Sequence, residues 1–216
     1  MSLVILSLVE LDKLNEIVSN IEKELYLLDD VRERTIRVSR DILRISRIVI
    51  ACIHQDKIDE AREKLRQLSK LVDDLMEMLK DYDELKFSGF VRNSLVEYVE
   101  AHLFYAVVTK SDIPSPEDLK VSPSTYILGL ADSGGEIRRR IIALLNQGNI
   151  DEVKRMYDIL KQIYHRISTI VIPDAIAPGL RSKCDMLRNS VERVGSEIIY
   201  FHLTRSIRGI NDENSK

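Results

Sequence analysis

The sequence predicts an all-α protein, an antiparallel bundle of about six to seven helices. Apolar residues recur at helical spacing along nearly the whole chain, and no run alternates apolar and polar residues at strand spacing. Only 8 glycines and 5 prolines interrupt the 216 residues, of which 31% are charged. This composition is typical of long amphipathic helices. With 44% hydrophobic residues the chain can bury one sizeable core, and we predict a single domain over 1–216.

The first two predicted helices differ in length. The first runs from about Leu8 to His54, and its length indicates packing against partners along most of its course. The second runs from about Ile58 to Leu79 and carries an apolar stripe on one side. The stripe consists of Leu65, Leu68, Val72, Leu75 and Met76.

Four more helices are expected after a break at about Asp81–Gly89. They cover approximately Val91–Thr109, Ser124–Asn146, Asp151–Ile170 and Leu180–Ser206. Proline removes a backbone donor and disfavours helix in the preceding residue, so Pro114, Pro116 and Pro123 predict a loop before the second of these. Gly148 is suitably placed to end that second helix. The tail, about 207–216, is expected to be frayed.

Charge and cysteine content limit the possible functions. The net charge of −3 counts against a chain that is basic overall, so a nucleic-acid surface would have to be local. Cys52 and Cys184 form no CxxC pair and are expected to be reduced core thiols. The apolar residues 1–9 lack a basic segment and are soon followed by Glu10, so they predict neither a signal peptide nor a membrane span. We therefore expect a cytoplasmic protein that does not act at a membrane.

Four carboxylates form the candidate catalytic and metal-binding site. Glu97 and Glu100 are three residues apart in one predicted helix, so they share a face. Asp132 and Glu136 are four apart in the next and share a face as well. Bare carboxylates among apolar neighbours are costly, and Mg²⁺ or Mn²⁺, which prefer hard oxygen ligands, would offset that cost. The alternative is a solvated acidic face, which is common in a chain with 35 Asp and Glu.

Other residues near these carboxylates have several interpretations. Gly134 and Gly135 lie inside a helical pattern at a cost of about 1 kcal/mol each, which close approach of another backbone or a ligand would justify. His102 follows Glu100 and is a possible second ligand or general base. A lone histidine on an aromatic-rich helix is more often structural, and we favour that interpretation.

Arginines form a basic stripe along the first predicted helix. The stripe consists of Arg34, Arg37, Arg40, Arg44 and Arg47. They fall within a sector of roughly 140°, which suits contact with a phosphate backbone. A solvated face paired with acidic residues of a neighbouring helix or subunit is at least as consistent with the pattern. A second basic cluster, 138–140, follows Glu136, and one of its members could orient a scissile phosphate. The candidate nucleic-acid-binding residues are Arg37, Arg40, Arg44, Arg47 and Arg138.

The chain resembles the translin family in several segments. Residues 122–136, SPSTYILGLADSGGE, are similar to the family's Tyr-Leu-Leu-Gly-x-Ala-Asp-Leu-Thr-Gly-Glu-Leu pattern. Gly148–Asp151 matches the turn after that helix, and Ser39–Asp41 and Ser206–Gly209 also fit. Glu97–Ala101, with the sequence Glu-Tyr-Val-Glu-Ala, is identical to a segment of the translin-associated factor X branch. Translin itself lacks the paired glutamates at these positions.

This resemblance implies both an assembly and an activity. The assembly would be a translin-like homo-oligomer, a closed octameric barrel whose active sites and much of whose basic surface face an interior cavity. The activity would be that of a Mg²⁺-dependent endoribonuclease acting on single-stranded or nicked RNA, with the four carboxylates at active-site positions. Ser133 and Gly134 depart from the Leu-Thr of the family pattern, which affects packing rather than ligands. The alternative is a non-catalytic translin-like oligomer that binds single-stranded RNA or DNA.

Overall fold

The computed structural model describes the backbone of residues 2–213 and the side chains of residues 10–204. Within these residues the chain forms seven α-helices and no strand, which confirms the predicted fold class. The helices are α1 (Ser2–His54), α2 (Ile58–Met78), α3 (Asp83–Lys86), α4 (Gly89–Thr109), α5 (Pro123–Gln147), α6 (Ile150–Ser168) and α7 (Leu180–Glu213).

Helix α4 is the centre of the bundle. It packs against α1 on one side and α5 on another, and it also contacts α2. Helix α5 in turn packs against α6 and α7. Because α4 is enclosed in this way, its sequence is apolar around most of its circumference, including Val91, Val99 and Phe104 at the core. A carboxylate on α4 is consequently placed close to the interior.

Local signals fix both ends of α5. The Ser122 hydroxyl accepts a hydrogen bond from the Thr125 amide at 3.2 Å, and Pro123 occupies the first helical position. At the other end Gly148 has a φ of 75°, the left-handed conformation that glycine adopts readily. Asn149 then caps α6 by accepting from the Glu152 amide. The predicted helix after the proline loop is thus confirmed, with its start one residue earlier.

The terminal helices are longer than predicted. Helix α1 begins at Ser2 rather than Leu8, and α7 continues to Glu213 rather than ending near Ser206. Helix α7 thus includes 207–213 of the tail that was expected to be frayed, and residues 214–216 lie outside the described part of the chain. Gly209 is the only glycine or proline in that tail, and one glycine costs about 1 kcal/mol, which is insufficient to end a helix.

The predicted break between α2 and α4 contains a further helix. Helix α3 is a single turn, Asp83–Lys86, and it packs on α4 through the buried Leu85. A helix of four residues has too few positions to show an apolar period, so the sequence pattern did not reveal it. Over the described residues, none of the helices is long and apolar enough to cross a membrane. Cys52 and Cys184 are both free thiols, the first buried and the second half-buried.

Candidate metal and nucleic-acid site

The four candidate carboxylates come together beside the interface of α4 and α5. The charges of Glu97, Asp132 and Glu136 all act on Glu100, which requires the two pairs to be close in space. Glu97, Glu100 and Glu136 line one cavity of about 570 Å³. The structure therefore joins the pair on α4 and the pair on α5 into one acidic cluster, defined here as these four residues.

A glycine allows α4 and α5 to approach each other at this level. A methyl group placed on Gly129 would lie 2.6 Å from Val99 Cβ and 2.8 Å from the Val96 carbonyl oxygen. Both contacts are far inside van der Waals distance, so only glycine permits the observed spacing. Val96 directly precedes Glu97 and Val99 directly precedes Glu100, and Gly129 lies about one helical turn before Asp132. The contact therefore sets the separation of the two carboxylate pairs.

The glycines singled out from the sequence have other surroundings. A methyl group on Gly134 would collide with the Leu187 side chain of α7, at 2.1 Å from Cδ2. Gly135 faces open space, with nothing within 4 Å of such a methyl group. Close approach thus explains Gly134, with a side chain of α7 as the neighbour, but it does not explain Gly135.

Glu100 is the buried member of the acidic cluster. Its residue surface is only 9% exposed, and no hydrogen bond or ion pair to it is found among the described residues. Burial raises the pKa of the Glu100 carboxyl to about 8, and the charges of Asp132, Glu97 and Glu136 add to this effect. Without a cation beside it, this group is mostly protonated at neutral pH.

Glu97 lies closer to solvent. Its side chain is 31% exposed, and its carboxylate is 4.0 Å from the Arg47 guanidinium of α1. Burial raises the pKa of Glu97, Arg47 lowers it, and Asp132 and Glu136 raise it further. Burial and the charges of Asp132 and Glu136 therefore disfavour the ionised form of Glu97 as they do that of Glu100, but less strongly.

Both carboxylates of α5 have a basic partner. The Lys183 ammonium of α7 donates to Asp132 Oδ1 at 2.5 Å and to Oδ2 at 2.6 Å. His54 Nε2, at the end of α1, is 2.5 Å from Glu136 Oε2, and its ring packs against Phe104 with centroids 4.9 Å apart. The hydrogen bond from His54 lowers the pKa of Glu136 despite partial burial. Helices α1 and α7 thus supply a basic partner to each carboxylate of α5.

The chemistry of this cluster fits a hard divalent cation. Its donors are carboxylate oxygens on two rigid helices, and the buried Glu100 has no other partner. Among the described side chains, no three His, Cys, Asp or Glu residues converge tightly enough to hold a metal ion in the present conformation. Asp132 and Glu136 are instead bonded to Lys183 and His54, so binding of a cation by all four carboxylates requires these partners to yield.

The arginine stripe of α1 is exposed along its length. Arg37 donates to the Glu33 carbonyl and Arg44 pairs with Asp41 at 3.0 Å, both within α1. Arg40 is exposed without an ion pair in the described part of the chain. Arg47 lines the cavity beside the acidic cluster. The stripe therefore leads along α1 towards the cluster, with most of its charge available to a ligand.

The second basic cluster is oriented differently from the prediction. Arg138 points towards α7, where its guanidinium is 3.5 Å from Glu197. Arg139 is the member that lines the cavity, 3.7 Å from Glu136, and Arg140 is buried and bonded to Asp56. Because consecutive residues differ by about 100° around a helix, only one of the three can face the acidic cluster. Arg139 is the one that faces the acidic cluster, and Arg138, named from the sequence, faces α7 instead.

His102 lies on the opposite side of α4. Its Nε2 is 3.2 Å from Ser69 Oγ of α2, and its ring meets Tyr98 edge-on at 4.7 Å. Burial lowers the pKa of His102 to about 4, which keeps the imidazole neutral. The structural role favoured from the sequence agrees with this position.

Sequence reasoning missed two residues that contact the acidic cluster, His54 and Lys183. His54 follows Arg47 by seven residues, or two helical turns, so the basic stripe could have been extended to it. Lys183 gave no such signal, since it reaches Asp132 across 51 residues of chain.

Known proteins share this fold, and their sequences align with most of the chain. The Translin family model matches residues 30–206. An uncharacterized protein of Methanocaldococcus jannaschii is 30% identical over 215 residues, covering 95% of this chain and 93% of that protein. The translin-associated protein X homolog of Schizosaccharomyces pombe is 25% identical over 76% of this chain and 78% of its own. A solved structure of AfC3PO in complex with duplex RNA has a TM-score of 0.81 and 29% identity, covering 87% of this chain and 97% of that chain. These matches confirm the resemblance drawn from the sequence.

Proposed function

The chain belongs to the translin family, and on that premise we propose that it is a metal-dependent endoribonuclease that cleaves RNA at the acidic cluster. The observation that carries the proposal is the position of Glu100. A carboxylate that is 9% exposed, next to three others, is costly unless a cation compensates for it. A purely structural site of this kind would be better served by an apolar side chain.

The residues of the acidic cluster would hold Mg²⁺ or Mn²⁺. Glu97 and Glu100 of α4 and Asp132 and Glu136 of α5 supply the oxygen ligands that these ions prefer. When bound, such an ion polarises a phosphoryl oxygen and lowers the pKa of a bound water. Binding requires Glu100 to lose its proton, so metal affinity should rise with pH.

Arginines beside the cluster would position the RNA. Arg47 and Arg139 line the cavity together with three of the four carboxylates, so each can donate to a phosphate held there. On the same helix, Arg44, Arg40 and Arg37 lie about one, two and three turns before Arg47. They suit contacts to neighbouring phosphates. The similar AfC3PO is solved with duplex RNA, which supports RNA as the ligand class.

We expect this site to act within a homo-oligomer. The family resemblance implies a closed octameric barrel, and exposed apolar residues on α1 agree with burial against further copies. Enclosure of the acidic clusters in an interior cavity would restrict the substrate to strands that can enter it.

Cleavage with Glu100 altered tests the proposal. The wild-type protein with Mg²⁺ should cleave a labelled single-stranded RNA, and Glu100→Gln should lower the rate by about 100-fold or more because a metal ligand is lost. RNA binding, measured by fluorescence anisotropy, should persist because the arginines remain. Glu84→Gln on α3, an exposed glutamate outside the cluster, is the matched control and should cleave like wild type.

Two results would overturn the assignment. Cleavage by Glu100→Gln at the wild-type rate would remove the acidic cluster from the reaction. Binding of single-stranded and duplex RNA by wild type, without cleavage in either Mg²⁺ or Mn²⁺, would instead support the non-catalytic translin-like oligomer.

A further inference from the structure

Lys183 makes one of the two shortest polar contacts in the acidic cluster. Its ammonium group is 2.5 Å and 2.6 Å from the two oxygens of Asp132, so a single cation engages both ends of the carboxylate. The Lys183 side chain is 28% exposed and that of Asp132 is 27% exposed. An ion pair that is mostly shielded from water interacts more strongly than one on the surface.

The charge of Lys183 acts beyond Asp132. It also lowers the pKa of both Glu97 and Glu100, opposing the effects of burial and of the other carboxylates. The lysine therefore faces the acidic cluster as a whole, from a helix that contributes no carboxylate to it. The single positive charge of Lys183 offsets part of the negative charge of the acidic cluster, and a divalent cation would offset more of it.

Lys183 and a metal ion compete for the same oxygens. The ammonium group lies in front of both Asp132 oxygens, which is the position that a metal ion bound to both oxygens would take. Two cations on one carboxylate in a half-buried site also repel each other. The four-carbon stem of lysine is flexible, so the ammonium group can leave without movement of α7.

We propose that Lys183 is the counter-ion of the metal-free acidic cluster, and that a divalent cation displaces its ammonium group from Asp132. The inference rests on the proposed metal site, but it concerns how that site is occupied rather than the reaction. Lys183 is accordingly a positioning residue: it holds Asp132 in place in the metal-free protein and sets a threshold for metal binding.

Direct Mn²⁺ titration at fixed pH, followed by the electron paramagnetic resonance of free Mn²⁺, tests this without an activity assay. Lys183→Met keeps the stem and removes the charge, and should tighten Mn²⁺ binding by about tenfold or more, equivalent to about 1.4 kcal/mol. Lys183→Arg keeps the charge and should bind Mn²⁺ as wild type does. Lys161→Met, which removes a lysine paired with Asp158 at 2.7 Å on α6, is the matched control and should leave the affinity unchanged.

The outcomes separate this inference from the proposed function. Mn²⁺ binding by wild type that is equal or weaker in Lys183→Met overturns the counter-ion role and leaves the metal site intact. Absence of Mn²⁺ binding in every variant overturns both. Thermal melting in EDTA checks that Lys183→Met is folded; if it is not, Lys183→Gln, which keeps a polar end without charge, carries the same expectation.

Discussion

A single carboxyl group dominates the electrostatics of this site. Glu100 is surrounded by Asp132, Glu97 and Glu136, and burial is the largest reason that its pKa rises to about 8. The other three carboxylates each have a basic neighbour, through Arg47, Lys183 or His54. Glu100 is thus the residue whose ionisation depends most on an added cation.

The pKa of Glu100 leads to a prediction for stability. The pKa of this carboxyl is 4.5 in the unfolded chain and about 8 in the folded protein. Its contribution to the free energy of unfolding is therefore fully present below pH 4.5. That contribution is lost as the pH rises towards 8, by up to about 1.4 kcal/mol per pH unit. Chemical denaturation in EDTA between pH 5 and 9 should therefore show wild type losing stability relative to Glu100→Gln. Parallel curves for the two proteins would contradict the assigned pKa.

At the scale of helices, the sequence predicted those features that depend on residues close to each other in the chain. Spacing placed Glu97 with Glu100 on one face, and the Ser122–Pro123 start of α5 was readable to within one residue. Spacing alone could not join α4 to α5, and it was the family resemblance that combined the two pairs. Contacts made by His54 and Lys183 cross 82 and 51 residues, and no local pattern reports such separations.

The approach of α4 and α5 can be tested at their contact. Gly129→Ala inserts a methyl group 2.6 Å from Val99 Cβ and against the Val96 carbonyl, and should lower the free energy of unfolding by about 1–3 kcal/mol. Gly135→Ala, in the same helix, meets open space and should raise it by about 0.5–1 kcal/mol because alanine favours helix. Urea titration of both variants measures the difference. Equal stabilisation by the two substitutions would show that Gly129 is not a close-contact position.

At the scale of the whole molecule, the first half of α1 presents an apolar surface that no other part of the described chain covers. Each member is about half exposed or more: Leu11, Leu14, Val18, Ile21 and Leu25. Their spacing alternates between three and four residues, the a/d pattern of a coiled-coil seam. A row of large apolar side chains at this spacing is typically buried against a partner helix. In a homo-oligomer that partner is a second copy of the chain.

A charge placed within this row should therefore disrupt the assembly. Ile21→Glu puts a carboxylate in the seam. The free energy needed to bury that charge against a partner helix exceeds what the apolar contact contributes, so the oligomer should dissociate to a smaller species. Asn20→Glu adds the same charge to α1 on a face roughly 140° from the centre of the row, and should leave the mass unchanged. Sedimentation velocity at equal concentrations compares the two. Because each copy carries its own acidic cluster, Ile21→Glu should keep Mn²⁺ binding. An unaltered mass would mean that copies associate through another surface.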